Sequence, residues 1–214
     1  MRYSLTVSTA PTAEPLTTAE AKSHLRVETD MTEDDTLIAS YVKAAREWYE
    51  DAGARALITQ THTLRLDGFP GSSADPRAGS GDCGINRHAI LLPRAPVASV
   101  TSVAYVDVDG ATQTLVANTD YVVDIYGLEP RIVPAYGTVW PEARAQPNSV
   151  TIVYVAGYGA AGSYVPESIR SLLRLLVAHQ YELREPVVVG TIANELPLGV
   201  QSLLWQTRNP SFAS

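Results

Sequence analysis

The sequence predicts an α+β protein in which a small helical bundle carries an antiparallel, β-sandwich-like insertion between its helices. Two changes of hydrophobic period along the 214 residues support this fold class. Near both ends of the chain, apolar residues recur at spacings of three and four, which indicates amphipathic helices. Between about residues 56 and 159 they alternate with polar residues, as in half-buried strands. The predicted bundle therefore comprises 1–55 and 160–214, and 56–159 form the inserted β domain.

The first helix is predicted from a capping box. Thr17 is followed three residues later by Glu20, which lets each side chain bond the other's backbone N–H group. The pattern predicts a short helix that ends at about Arg26. Its inner face is expected to carry Ala21, His24 and Leu25.

The second helix is longer and is predicted over 33–52. Thr32 and Asp35 repeat the capping spacing, and the acidic residues that follow Thr32 suit the positive end of a helix dipole. One broad apolar stripe is expected to pack in the core and consists of Leu37, Ile38, Tyr41, Val42, Ala45, Trp48 and Tyr49.

The longest strand signal lies within 90–110. A period of two is expected to put Val100, Ala104, Val106 and Val108 on the buried face. The opposite face would carry Ser99, Thr101, Val103, Tyr105 and Asp107. Asp109 and Gly110 then predict a hairpin turn, because Asp-Gly readily adopts the backbone that such turns need.

Shorter alternating runs predict the remaining strands, at 3–7, 56–66, 112–116, 121–126, 131–133 and 149–155. The stretch 71–87 is rich in Gly, Ser and Asp and has almost nothing to bury. We expect it to be a mobile hairpin tip that returns the chain to Ala89.

A wide apolar stripe marks the helix that follows the strands. Pro166 suits its first position, where a missing N–H group costs nothing. The stripe consists of Ile169, Leu172, Leu173, Leu176, Val177 and Tyr181, widened by Leu175 and Ala178. One helix cannot bury so wide a stripe alone, so we expect the helix over 33–52 to be its partner. A last short helix is predicted over 199–207.

Composition excludes several classes of protein. The formal net charge of −7 disfavours a general DNA-binding surface, which needs clustered Lys and Arg. The single cysteine, Cys83, provides neither an internal disulfide nor a thiolate metal cluster. The N-terminus has no apolar run typical of a signal peptide, and the most apolar window, 172–178, is too short to span a bilayer. No membrane partner is expected.

No catalytic, cofactor or metal site is predicted. The histidines His24, His62, His88 and His179 have no metal-ligand spacing, and no phosphate-binding loop or nucleophile elbow is present. Cys83 lies in the polar loop, without a helix that would lower its pKa. Two carboxylate pairs could serve a glycosidase, but they lie at turns, where solvated side chains are the usual interpretation: Asp107 with Asp109, and Asp120 with Asp124.

Motifs along nearly the whole chain resemble the head–tail connector (adaptor) proteins of tailed bacteriophages and related gene transfer agents. The helical motifs are residues 16–26 (LTTAEAKSHLR), Asp34-Asp35 before Leu37-Ile38, and Ala44-Ala45-Arg46. The motifs of the β insert and the return are Gln60-Thr61, Phe69-Pro70, Leu92-Pro93, Pro96-Val97, Ser99-Val100, Tyr136-Gly137, Trp140-Pro141, 156–159 (AGYG) and Val165-Pro166.

The resemblance implies a structural virion protein with no catalytic residues, made in the host cytoplasm. It implies a ring, typically twelve-fold, at the head–tail junction beneath the portal protein. Such a ring extends the DNA channel without sequence-specific binding, and offers a surface to the next tail-completion or tail-terminator protein.

The tail from 186 to 214 is the predicted docking segment for the portal. Its apolar residues are Val187, Val188, Val189, Leu203, Leu204, Trp205 and Phe212. The alternative is that this tail folds back on its own bundle. Two other functions stay open: a carbohydrate-binding β module that uses Tyr105, Tyr121, Tyr126 and Trp140, and a hydrolase built from distant carboxylates.

Overall fold

The computed structural model describes residues 3–71, 88–127, 129–182, 198–209 and 212. The predicted α+β class is confirmed, with helices and two antiparallel sheets. The chain forms two compact units, one of 1–10 with 60–157 and the other of 11–59 with 158–214. The first ten residues belong to the unit that contains the strands, although the sequence predicted them in the bundle. The reason is that their strand pairs with the strand that follows the second helix.

Helices dominate the second unit. They are α1 (Thr18–Leu25), α2 (Asp35–Gly53), α3 (Glu167–Glu182) and α4 (Leu198–Thr207). The predicted partnership of α2 with α3 is confirmed, and α4 packs on both. The side chains that these helices bury together are Ile38, Val42, Ala45, Tyr49, Ile169, Leu172, Leu173, Leu176, Val177 and Val200. Leu175 was expected to widen this stripe, but it is 38% exposed because it lies on the outer face of α3.

The capping box of α1 is confirmed. The Glu20 N–H group donates to Thr17 Oγ1 at 3.2 Å, and the Thr17 N–H group donates to Glu20 Oε2 at 2.9 Å. The predicted inner face is wrong at His24, which is exposed, whereas Lys22 is buried. Burial of the Lys22 ammonium is possible because Asp35 lies 2.7 Å away and compensates its charge.

The start of α2 differs from the prediction. Thr32 forms no capping box; its carbonyl accepts the Asp35 N–H group at 3.2 Å, in a turn that precedes the helix. Asp34 occupies the N-cap position without a side-chain bond to the helix. Its carboxylate accepts the Tyr181 hydroxyl at 2.7 Å instead, so a contact with α3 replaces the local cap.

The first unit contains the strands. They are β1 (Tyr3–Thr9), β2 (Gln60–Leu66), β3 (Ile90–Leu91), β4 (Val97–Val106), β5 (Thr112–Leu115), β6 (Tyr121–Asp124), β7 (Arg131–Pro134) and β8 (Val150–Ala156). A five-stranded sheet has the order β1-β2-β8-β4-β5, and a three-stranded sheet has the order β3-β7-β6. The predicted mobile tip at 71–87 lies outside the described residues apart from Gly71.

The predicted buried face of β4 is correct at Val100 and wrong at the later residues of the strand. The register against β8 shifts between Val97 and Ser99 and again between Val100 and Ser102, and each shift adds a residue that has no partner across the strand pair. Core-facing residues therefore recur every three positions, at Val97, Val100 and Val103. Val103 is fully buried, and Val108 lies beyond the strand and is 58% exposed.

The turn after β4 forms as a wider loop than the two-residue hairpin. The Asp107 N–H group donates to the Ala111 carbonyl at 2.9 Å, and Gly110 adopts a positive φ of 90°. Glycine suits this conformation because it has no Cβ to clash with the backbone.

Candidate assembly surfaces

The C-terminal helix α4 is fixed to the end of α2 through its last carbonyl group. Thr207 O accepts hydrogen bonds from the Tyr49 hydroxyl at 3.3 Å and from Arg55 Nε at 2.5 Å. The Asn209 N–H group donates to Gly53 O at 2.8 Å. Burial raises the pKa of Tyr49 to about 12, so its hydroxyl remains a donor at neutral pH. The negative end of the α4 dipole thus meets the Arg55 guanidinium, a favourable arrangement.

The predicted docking residues separate into three groups. Val187, Val188 and Val189 lie outside the described residues. Leu203 and Leu204 are half-buried against the bundle core, and Phe212 is also half-buried. Trp205 is 67% exposed. Among the described members of the set, Trp205 is therefore the residue that α4 presents to solvent.

The Trp205 side chain is held by a neighbour that the sequence interpretation missed. The guanidinium carbon of Arg208 lies 3.5 Å from the centre of the indole ring, which is a cation–π contact. Arg208 directly follows α4 and lies three residues after Trp205, a spacing at which side chains near the end of a helix can meet. Trp and Arg are the residue types that contribute most to binding energy at protein interfaces.

A buried ion-pair cluster lies on α2. Arg46 is 6% exposed, and its guanidinium lies 2.7 Å from Glu14 and 3.0 Å from Glu50. Glu50 also accepts the Leu57 N–H group at 2.9 Å, and this bond fixes the chain that follows α2 to that helix. Burial opposes the charge of Arg46, but hydrogen bonds and attraction from the two carboxylates raise its pKa above the ordinary value. Arg46 therefore stays charged at neutral pH.

Charged side chains line the face between α1 and α3. Arg170 pairs with Glu20 and, at 2.9 Å, with Glu167. The hydrogen bond from the Thr17 backbone N–H group lowers the pKa of Glu20, and Arg170 lowers it further. Desolvation opposes both effects but does not cancel them. An open hollow of about 600 Å³ lies here, lined by Ala19, Glu20, Ser23, His24 and Arg174.

The aromatic residues of the β unit do not form a row for stacking sugars. Phe69 stacks on Trp140 with ring centres 4.8 Å apart and meets Tyr105 edge-on at 5.6 Å. Tyr121 is 3% exposed. Of the four aromatic residues considered for carbohydrate binding, only Tyr126 is largely exposed to solvent. Core packing accounts for the other three.

One exposed turn of the β unit was not among the docking residues predicted from the sequence. The Thr138 N–H group and hydroxyl both bond the Ala135 carbonyl, at 3.0 and 2.8 Å. The turn exposes Tyr136 completely and Val139 by 82%. Gly137 and the flanking prolines mark a loop in the sequence, but the outward direction of Tyr136 needs the fold.

The carboxylates considered for hydrolysis have turn roles. Asp107 accepts the N–H groups of Asp109 and Ala111, at 3.1 and 2.9 Å, and a hydrogen bond from Gln113 is the largest cause of its lowered pKa. Asp120 accepts the Val116 N–H group at 2.7 Å, and Asp124 lies 3.1 Å from an arginine of β7. Within the described ranges, no cluster of three His, Cys, Asp or Glu residues could hold a metal ion. Cys83 lies outside those ranges.

Comparisons with solved structures identify the class of protein. The chain is similar to one in the neck of an empty gene transfer agent particle computed with C6 symmetry, at 30% identity and a TM-score of 0.71, over 96% of this chain and 95% of that chain. A chain in the virion of a native gene transfer agent particle has 29% identity, a TM-score of 0.72, and coverage of 95% and 94%. A third, from the neck of a native particle computed with C12 symmetry, has 28% identity, a TM-score of 0.66, and coverage of 97% and 95%.

These similarities extend over nearly the whole of each chain, so they include both units. The chain belongs to the head–tail connector family of tailed bacteriophages and related gene transfer agents. Its role is structural, and its place is the neck of the virion. No protein-family model and no curated protein sequence matches it. No helix in the described part of the chain is long and apolar enough to cross a membrane.

Proposed function

We propose that copies of this chain close into a ring of twelve between the portal and the tail. The ring continues the DNA channel of the portal and provides the attachment surface for the next tail component. The chain acts through these contacts and catalyses no reaction. The observation that supports this most directly is its similarity, at nearly full length, to neck chains from particles computed with C6 and C12 symmetry.

The physical properties of the chain suit such a ring. A cyclic ring needs two different, complementary surfaces on each copy, because every interface is head-to-tail. A net charge of −7 reduces the attraction between the protein and the phosphates of DNA that must pass through. The channel therefore needs no specific DNA contact.

The first test of this proposal is the mass of the assembly. Native mass spectrometry of the full-length chain, alone and mixed with its portal protein, is expected to give a complex that contains twelve copies of the chain. Single copies bound to the portal, with no closed ring under either condition, would contradict the proposal.

Trp205 is the described residue that we assign to portal docking. Deletion of the whole tail would be a poor test, because it removes Val200, which is fully buried, and the Thr207 carbonyl that accepts Tyr49 and Arg55. The point substitution Trp205→Ala leaves both in place. We expect it to weaken portal binding at least about 30-fold, since loss of an interface hot spot costs 2 kcal/mol or more.

Binding is measured by surface plasmon resonance with immobilised portal. Tyr136→Ala is the matched control, because it removes another exposed aromatic side chain, from the β unit. Equal affinities for wild type and Trp205→Ala would assign portal docking to a different surface and leave the ring proposal standing.

A further inference from the structure

Strand β1 ends the five-stranded sheet in an unusual way. It pairs with β2 on one side, and within the described residues no strand lies on its other side. Its seven residues, YSLTVST, contain no charge and no proline. Edge strands are normally protected against pairing by short length, charged side chains or proline. β1 is long for an edge strand and lacks charge and proline, and its one register shift lies near its end, between Val7 and Thr9.

The side chains of β1 also leave part of the sheet core uncovered. Leu5 lies opposite Leu64 and Val7 lies opposite His62, so both face the side on which β2 is buried. Val7 is nevertheless 53% exposed, and Leu5 is only half-buried. Core-facing apolar residues stay exposed here because the sheet stops. Another strand beside β1 would cover them.

The opposite edge of the same sheet has matching properties. β5 is uncharged, and its first three residues are exposed. Leu115 faces the core opposite Val103, and the adjacent Val116 is 59% exposed. The three-stranded sheet differs at both of its edges: β3 has two residues, and β6 ends at Asp124, which is paired with an arginine. Within the described residues, the five-stranded sheet is the one in which both edges are uncharged and carry exposed apolar side chains.

The strand directions determine how these two edges can meet. All four pairings in the five-stranded sheet are antiparallel, so β1 and β5 run in the same direction. Adjacent copies in a twelve-fold ring differ by a rotation of about 30°, which nearly preserves strand direction. A head-to-tail join between the two edges is therefore parallel, with the spacing of neighbouring strands.

We infer that β1 of one copy pairs in parallel with β5 of the next copy, so that the five-stranded sheets continue from subunit to subunit. The inference rests on the proposed ring and adds its subunit contact. The occupant of the β1 edge is a second copy, because backbone donors and acceptors at a sheet edge are complementary to another strand. Pairing of β1 with β1 about a two-fold axis would be antiparallel and would give closed dimers.

Cross-linking of assembled particles tests the contact. In a Cys83→Ser background, Val7→Cys is combined with Gln113→Cys, and particles are treated with a short bismaleimide whose reach tolerates a shift in register. We expect a ladder of multimers on denaturing gels. Val7→Cys with Val139→Cys is the matched control, because Val139 is exposed and belongs to neither edge strand. It should give no ladder.

Each outcome decides a different point. Dimers from Val7→Cys alone would indicate β1–β1 pairing and overturn the inference. Rings seen by native mass without any Val7–Gln113 product would also overturn it, while leaving the proposed function intact. Failure of the wild-type chain to form rings would contradict the proposed function itself.

A charged edge provides a second measurement. Val7→Lys introduces the kind of side chain that blocks edge pairing, at a position exposed enough to accept it. We expect at least about a 10-fold loss of ring in the native mass spectrum, with an unchanged circular dichroism spectrum. Val139→Lys is the control for the added charge. Normal rings from Val7→Lys would count against β1 as a subunit contact.

Discussion

Replacement of Arg46 by alanine is expected to lower the free energy of unfolding by about 3–5 kcal/mol. Arg46 compensates the charges of Glu14 and Glu50, and Glu50 is only 8% exposed. Without the guanidinium, the buried Glu50 carboxylate loses the positive charge that offsets its desolvation. Urea unfolding followed by circular dichroism at neutral pH measures the change.

Two further variants separate the ion pair from the packing of its side chain. Lys43→Ala removes an exposed cation of the same helix, whose ammonium lies 4.0 Å from Glu47, and should change stability by less than about 0.5 kcal/mol. Arg46→Met with Glu50→Gln removes both charges but keeps an acceptor for the Leu57 N–H group. This double variant should recover most of the loss. A single Arg46→Ala variant within 1 kcal/mol of wild type would refute the role of the cluster.

Acidification from pH 6.5 to pH 4 is expected to cost the β unit about 3 kcal/mol through His62 alone. The ring is 2% exposed and stacks on Tyr154 at 5.4 Å, and neither ring nitrogen has a hydrogen-bond partner among the described residues. Burial, followed by the nearby charge of Arg94, lowers the pKa of His62 from 6.5 to about 4.

The direction of this effect follows from proton binding. Above pH 6.5 the imidazole is neutral in both the folded and the unfolded chain, and contributes no pH dependence. Between pH 6.5 and pH 4 the unfolded chain binds a proton that the folded chain does not, so stability falls as the pH falls. Below pH 4 both forms are protonated and the loss is complete.

Comparison with His62→Phe isolates this contribution from the carboxylates that titrate in the same range. Phenylalanine keeps a ring beside Tyr154 and has no proton to bind. Unfolding free energies of both proteins at several pH values should diverge as the pH falls, and the variant should be less sensitive to acid. Parallel curves would show that His62 does not titrate differently in the folded and unfolded states.

Local patterns made much of the helical unit predictable. The Thr17–Glu20 capping box depends on residues three apart, and the stripes of α2 and α3 depend on the helical period. Both are properties of short sequence windows. Leu175 shows the limit of this reasoning, because an apolar residue at the margin of a stripe can face either the core or solvent.

Pairing across long sequence separations was not predictable in the same way. The bulges in β4 depend on its alignment with β8, and a single added residue moves later side chains to the other face. The ion pair between Glu14 and Arg46 joins residues 32 positions apart, which no local spacing marks. The exposed Trp205 was within the predicted docking set. That it faces solvent while Leu203 and Leu204 pack on the core depends on how α4 lies against α2 and α3.

The interleaved chain order constrains synthesis of the protein. The apolar stripe of α2 packs on α3, which begins about 110 residues later, and β2 needs β8, which lies far beyond it in sequence. At a translation rate of about 5–20 residues per second, on the order of ten seconds pass between the synthesis of α2 and that of α3. Nascent chains therefore expose this stripe for much of translation, and a chain that stops before α3 cannot bury it against that helix.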